Sequence, residues 1–250
     1  MSETTEQKHD ELVERMFKVG AHFGYSKSRR HPSMKPYIFG AKNKVEIFDL
    51  EKTKETLAKA KAFVEELGRN RKILLFVSGK REARAPILQA AGAISMPHVA
   101  GRWIGGTFTN FIEIKKRVEK YLDLLSKREK GELSKYTKKE RLLIDREIDN
   151  LEIMFAGIVS LKKLPDALLV VDADYEEIAV TEAHKAHVPV VALMNSDCDV
   201  SKAEYPIIAN DSSISSITFF MNEVVEAYKK GLNEAMPVVE PKAVETQVKA

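Results

Sequence analysis

Eight lysine and arginine side chains (Arg15, Lys18, Lys27, Arg29, Arg30, Lys35, Lys42 and Lys44) fall within residues 15–45, and no aspartate or glutamate lies among them. Five aromatic residues are interleaved: Phe17, Phe23, Tyr25, Tyr37 and Phe39. Cations at this density neutralise phosphates and release counterions, while guanidinium and aromatic faces stack on unpaired bases. A charge run is most often a solvated face. Here the lack of any carboxylate over thirty-one residues removes local salt-bridging, so phosphate binding is the preferred reading. The candidate contacts are Lys27, Arg29, Arg30, His31 and Lys35, followed by Lys42 and Lys44 in a basic turn. On this reading, reversing Arg29 and Arg30 together to glutamate impairs incorporation into the nucleic-acid assembly and leaves the isolated fold intact.

The charge is lopsided along the whole chain. Residues 164–250 carry six cations against fifteen carboxylates, and residues 1–163 carry 34 against 22, a balance of +12 that the net +3 conceals. A basic half with embedded rings beside an acidic half suits a protein resting on a phosphate-rich polymer.

Four further constellations come into question for chemistry. Arg102-Trp103-Ile104-Gly105-Gly106-Thr107 precedes a long helical pattern, and glycines at a helix start expose N–H groups to a phosphate. Arg102 is a candidate phosphate contact, whereas Trp103 reads as core. Ser78-Gly79-Lys80-Arg81 lacks the spacing of a phosphate loop, and no dinucleotide fingerprint occurs anywhere. Asp172, Asp174, Asp197 and Asp199 follow two strand-like runs, where a metal or acid–base site is conceivable. Turns and helix caps account for the same residues more simply. His184 and His187 have no cysteine or third histidine in register to complete a zinc site.

The elements that must hold these residues are legible. A helix is expected over residues 10–19, ended by Gly20, and two short strands flank residues 40–44. Asp49 can cap a helix carrying Leu57, Ala60, Val64 and Leu67 on one face. Apolar runs at 73–77, 167–171 and 190–194, with a shorter one at 207–208, suit strands buried on both faces. Helical patterns at 81–93, 176–187 and 212–230 separate or follow them, which argues for right-handed βαβ units in a three-layer parallel sheet. Between them Phe111, Ile114, Val118, Tyr121 and Leu125, then Ile144, Ile148, Leu151, Phe155 and Ile158, form two heptad-like stripes around Lys130-Gly131-Glu132. An antiparallel helical hairpin follows. Residues 115–147 hold twelve cations against seven carboxylates, with Lys115 and Lys116 as candidate contacts.

The expected organisation is an α/β body over residues 10–106 and 159–233, an inserted coiled-coil hairpin over 107–158, and disordered tails at 1–9 and 234–250. No run reaches the roughly 18 apolar residues of a membrane span. The polar N-terminus lacks the apolar core of a signal peptide. One cysteine, Cys198, cannot form an internal disulfide and fits a reducing, cytoplasmic setting.

Three segments resemble the signatures of the ribosomal protein S-two family of the small ribosomal subunit. The first is Val19-Gly20-Ala21-His22-Phe23-Gly24 with Arg29-Arg30-His31-Pro32 and Met34-Lys35-Pro36-Tyr37-Ile38-Phe39-Gly40-Ala41-Lys42-Asn43-Lys44. The second is Gly101-Arg102-Trp103-Ile104-Gly105-Gly106-Thr107-Phe108-Thr109-Asn110, and the third runs from Leu164-Pro165-Asp166-Ala167 to Val171-Asp172-Ala173-Asp174. The chain departs from the common pattern at Tyr25 (usually His), His31 (often Trp), Cys198 (usually Pro) and Ala156 before Gly157 (usually two glycines). The resemblance implies a flavodoxin-like α/β/α sandwich with a protruding antiparallel helical hairpin and a structural, RNA-binding role with no enzymatic activity and no cofactor. Its implied partners are small-subunit ribosomal RNA, neighbouring small-subunit proteins and, as in bacterial members, ribosomal protein S-one. The competing reading is a phosphate-ligand α/β enzyme with Lys80, Asp172 and Asp174 at the sheet edge.

Overall fold

Uninterrupted apolar runs build the centre of the molecule. The computed structural model describes residues 3–235. The elements in chain order are α1 (Glu3–Lys18), β1 (Phe23–Ser26), β2 (Ile38–Lys42), β3 (Val45–Phe48), α2 (Leu50–Arg69), β4 (Leu74–Val77), α3 (Arg81–Ala93), β5 (His98–Val99), α4 (Phe111–Glu129), α5 (Lys138–Phe155), β6 (Ala167–Val171), α6 (Glu177–Lys185), β7 (Val190–Met194), β8 (Tyr205–Ile208) and α7 (Ile214–Glu234).

The main sheet is parallel, in the order β5-β4-β6-β7-β8. Numbered along the chain, that is 2-1-3-4-5, the flavodoxin-like order. Every residue of β4, β6 and β7 is buried, which explains why these strands read as solid apolar runs. Their side chains alternate between two cores. Leu74 and Phe76 join Leu57, Ile87, Phe220 and Tyr228 on the face covered by α2, α3 and α7. Leu75 and Val77 join Trp103, Phe155 and Val180 on the face covered by α6 and the hairpin base. The three-layer α/β/α expectation holds.

The hairpin is α4 and α5. Ile114, Val118, Tyr121, Ile148, Leu151 and Phe155 are its buried stripe, and Phe111, Leu125 and Ile144 are partly buried. Gly131, at φ 70°, ends α4, and a Thr137–Glu140 capping box opens α5. Helix α5 stops at Phe155, three residues before the stripe expected to reach Ile158, which lies in a 3-10 turn. The turn brings Gly157 against β5: a Cβ there would lie 2.1 Å from the His98 carbonyl oxygen. Only glycine fits, so the departure at Ala156 leaves the required glycine in place.

One boundary and two strands differ from expectation. Helix α1 starts at Glu3 rather than residue 10, so the tail expected over residues 1–9 is helical from Glu3; no proline or glycine interrupts 3–18. Residues 1–2 and 236–250, the remainder of the two expected tails, lie outside the described residues. Helix α4 begins at Phe111, the first residue of the expected stripe, and residues 105–110 form a turn ahead of it. Strands β1 and β5 are additional to the expected set.

Candidate nucleic-acid interface

The basic N-terminal segment is a small sheet fastened to the large one. Strands β1 and β2 pair antiparallel on either side of β3. Asn43 and Lys44, at φ 52° and 67°, make the two-residue turn joining β2 to β3, the backbone of a type I′ hairpin. The Asn195-Ser196 loop after β7 clamps this segment. The Tyr25 amide donates to Ser196 Oγ at 2.9 Å, and the His31 amide donates to the Ser196 carbonyl at 2.8 Å. Val200 N–H donates to Ser33 Oγ at 3.1 Å. A segment that reads as irregular is therefore held on rigid backbone, which keeps its cations at fixed spacing.

Its cations fall into two groups. Lys27, Lys35, Lys42 and Lys44 are exposed and take part in no ion pair among the described residues. Arg29 is exposed and lies 4.5 Å over the Tyr25 ring, with Asp197 at 3.6 Å. Arg30 is different. Its guanidinium donates to Glu46 Oε1 at 3.0 Å, and the Glu46 side chain is only 2% exposed. The expectation that the segment has no salt-bridging partners thus fails at four of its eight cations: Arg15 pairs with Glu223 of α7 at 3.1 Å and Lys18 with Glu14 one turn back at 3.9 Å, and the fold brings Asp197 to Arg29 and Glu46 of β3 to Arg30. His31 also serves the local fold. Its Nδ1 lies 2.7 Å from Ser33 Oγ, and it caps the 3-10 turn Pro32–Tyr37. The rings divide in the same way. Phe39 is 81% exposed at an irregularity of the β2–β3 register, whereas Tyr37 packs against the core.

At the second signature, the phosphate reading of the glycine turn is overturned. Glu182 of α6 already occupies the anion position: its carboxylate accepts from Gly106 N–H at 2.6 Å and Phe108 N–H at 2.9 Å. Trp103 is buried and meets Phe108 edge-on at 5.2 Å between ring centroids, as expected of a core residue. Arg102 is exposed beside it, as are Lys115 and Lys116 on α4, with Lys116 paired to Glu113 at 2.7 Å.

The carboxyl edge of the sheet is similarly self-satisfied. Lys80 sits between Asp172 at 2.6 Å and Asp211 at 2.7 Å, its side chain 12% exposed. Burial alone would lower the Lys80 ammonium pKa; the charges of Asp211 and Asp172 reverse this and hold it above the usual range. Burial pushes Asp172 up, but Lys80 and the Tyr175 N–H outweigh it and keep the carboxyl low. Asp211 is buried still more deeply, so desolvation wins and its carboxyl is raised. Asp172 Oδ1 also accepts from the Asp174 and Tyr175 amides at 3.0 Å each, the turn role expected of it. Asp174 pairs with Lys202 at 2.7 Å, and Asp199 accepts from Ser201 N–H. The three residues of the enzyme reading are thus engaged within the fold, and burial raises the Cys198 thiol beside them. Among the described residues no helix is long and apolar enough to cross a membrane, and no three His, Cys, Asp or Glu side chains are grouped as metal ligands.

Comparison with known proteins decides the family. A family model described as ribosomal protein S2 matches residues 16–231. The chain belongs to the ribosomal protein S2 family. A relative named small ribosomal subunit protein uS2 from Sulfurimonas denitrificans is 42% identical over 217 residues, 86% of this chain and 83% of the relative. The proteins of the same name from Coprothermobacter proteolyticus and Hahella chejuensis are each 39% identical, over 88% of this chain and 82% and 87% of their own lengths.

In this S2-family chain, sequence reasoning missed Glu46 and Glu182. Glu182 lies 74–76 residues from the amides it holds, Glu46 is brought back to Arg30 across the β1–β3 pairing, and neither occurs in a recognisable motif. Glu182→Gln keeps the size of the side chain but leaves only one acceptor oxygen for the Gly106 and Phe108 amides. A stability loss of about 1–3 kcal/mol is expected in urea unfolding, the range for an unsatisfied buried donor. Amide exchange at both residues should quicken, and unchanged exchange there would contradict the anchoring role.

Proposed function

We propose that this protein is a structural component of the small ribosomal subunit that binds ribosomal RNA and neighbouring ribosomal proteins. The observation that carries the reading is the set of exposed, unpaired lysines, Lys27, Lys35, Lys42 and Lys44, on a segment clamped to the sheet by Ser196. Cations with no internal partner, carried on anchored backbone, are free to meet phosphates. Arg29 joins them as a stacking cation, and Arg102, Lys115 and Lys116 extend the candidate surface to the hairpin base. Arg30 and His31 act on this surface from behind, by holding Glu46 and the 3-10 turn. Exposed Leu142 and Leu143 on α5, beside cationic neighbours, suit a hairpin that meets both RNA and protein. Ribosomal protein S-one is a candidate neighbour on family grounds. The setting is the cytoplasmic ribosome, and the role is architectural rather than catalytic.

The test uses Lys42→Thr with Lys44→Gly, which leaves an Asn-Gly type I′ turn and so removes two charges without straining the hairpin. Rebinding to small subunits depleted of the protein should weaken by about tenfold or more at physiological salt. The slope of log affinity against log salt should fall by about two. An unchanged slope would overturn the assignment of these lysines to phosphates.

A further inference from the structure

The loops after β4, β5 and β6 border an open pocket of about 380 Å³ lined by Gly79, Arg102, Trp103, Tyr175, Glu176 and Ile178. It opens where the chain order of the sheet reverses: β4 leads outward to β5, and the chain then returns to β6 on the other side. Open parallel sheets place ligands at this crevice. The cavity is also built closely. A Cβ on Gly79 would come within 2.7 Å of the Tyr175 ring and 2.8 Å of Glu176 Oε1.

The polar groups here are unevenly used. Glu176 is 4% exposed; its Oε1 accepts the Gly79 N–H, and its Oε2 takes part in no hydrogen bond among the described residues. Burial, with Asp172 adding, raises its carboxyl despite the Gly79 bond. The Trp103 indole Nε1–H is buried without a partner. Tyr175 and Ile178, by contrast, are 62% and 61% exposed. The wall therefore offers acceptor capacity at Glu176, an open aromatic face at Tyr175 and, at Arg102, an exposed cation.

We infer that this cavity receives an unpaired guanine of ribosomal RNA. The inference rests on the RNA-binding reading above and names one ligand for it. Guanine is the base whose Watson–Crick edge sets two adjacent donors, N1–H and the N2 amine, beside an acceptor, O6. The two donors match the carboxylate of Glu176, and this pair of donors sets guanine apart from the other bases. Tyr175 supplies a stacking face for the ring, and Arg102 meets the attached phosphate. A cationic side chain of a partner protein would satisfy Glu176 equally well, but Arg102 repels it. A nucleoside triphosphate fits poorly, because the glycine amides that would cradle its phosphates are held by Glu176 and Glu182.

Kethoxal, which reacts across N1 and N2 of unpaired guanine, tests this in purified small subunits carrying wild-type or variant protein. In the wild type one unpaired guanine should be protected. Tyr175→Ala, at an exposed position, and Glu176→Gln should each raise its reactivity about fivefold or more at unchanged occupancy, the lower end of a bidentate base contact. Tyr175→Phe should keep the protection. Equal guanine reactivity in wild-type and Tyr175→Ala subunits at full occupancy would overturn the pocket and leave the RNA-binding reading standing. A carbodiimide-formed amide between Glu176 and a lysine of a neighbouring protein would overturn it in favour of a protein partner. Absence of the wild-type protein from purified subunits would defeat the underlying reading and the pocket with it.

Discussion

Lys80→Met is expected to remove about 3–5 kcal/mol of folding stability at neutral pH, the range for a buried ion pair that loses one member. Methionine fills most of the lysine's volume, so lost packing contributes little. What remains is two carboxylates, Asp172 and Asp211, 8% and 0% exposed, with no cation between them. The pH dependence separates this from a packing defect. In the wild type Asp172 is held low, so its stabilising contribution is present above the unfolded pKa and is lost as pH falls through the folded value. Asp211, held high, acts in the opposite sense. Without Lys80 both carboxyls move up. The folded state then binds protons more tightly than the unfolded one, and stability drains away as pH rises. The deficit should therefore be greatest near pH 7 and shrink below about pH 4, where unfolded aspartates protonate as well. Adding Asp172→Asn and Asp211→Asn to the variant should restore much of the loss at pH 7, since the amide oxygen of the first can still accept the Asp174 and Tyr175 N–H groups. Urea unfolding at both pH values gives the answer, and an equal deficit at each would refute the electrostatic account.

The same network shows which parts of the molecule can be read from sequence. Burial on both faces of β4, β6 and β7 leaves a local trace, a run of aliphatics with no polar alternation. The hairpin leaves another, because Ile114, Val118 and Tyr121 must face Ile148, Leu151 and Phe155 at helical spacing. Asp49 announces α2 through its own cap, with the side chain accepting the Glu51 N–H. Strand β5 leaves no such trace: it is two residues long, and its existence depends on β4 offering an edge. Partner choice is equally invisible. Counting charges between residues 15 and 45 makes every cation look free, yet Glu46 lies one residue outside that window and Asp197 lies 168 residues beyond Arg29. Glu182 has the identity of a surface helix residue, and only the path of residues 105–108 over α6 turns it into an anion for two amides. Composition thus identifies the basic face, while the tertiary fold decides which of its cations are available to a ligand.

That distinction makes Arg29 and Arg30, neighbours of identical type, respond oppositely to charge reversal. Arg29 is 62% exposed and 3.6 Å from Asp197, a geometry in which ion pairs contribute about 0–1 kcal/mol. Arg29→Glu should leave the urea midpoint nearly unchanged and act mainly on subunit occupancy. Arg30 is 25% exposed and is the hydrogen-bonded partner of Glu46, whose Oε2 is buried with no bond of its own. Arg30→Glu sets a second carboxylate against a buried one and should cost about 3–5 kcal/mol. That is a large share of the roughly 5–15 kcal/mol typical of a whole domain. The double reversal therefore cannot report on RNA contact alone, contrary to the reading from sequence, because a poorly folded chain is also missing from subunits. Arg30→Met combined with Glu46→Gln removes the pair without stranding either charge, and should recover most of the stability lost in Arg30→Glu. If Arg30→Glu unfolds at the wild-type urea concentration, Glu46 does not depend on it, and Arg30 returns to the set of cations free to meet phosphate.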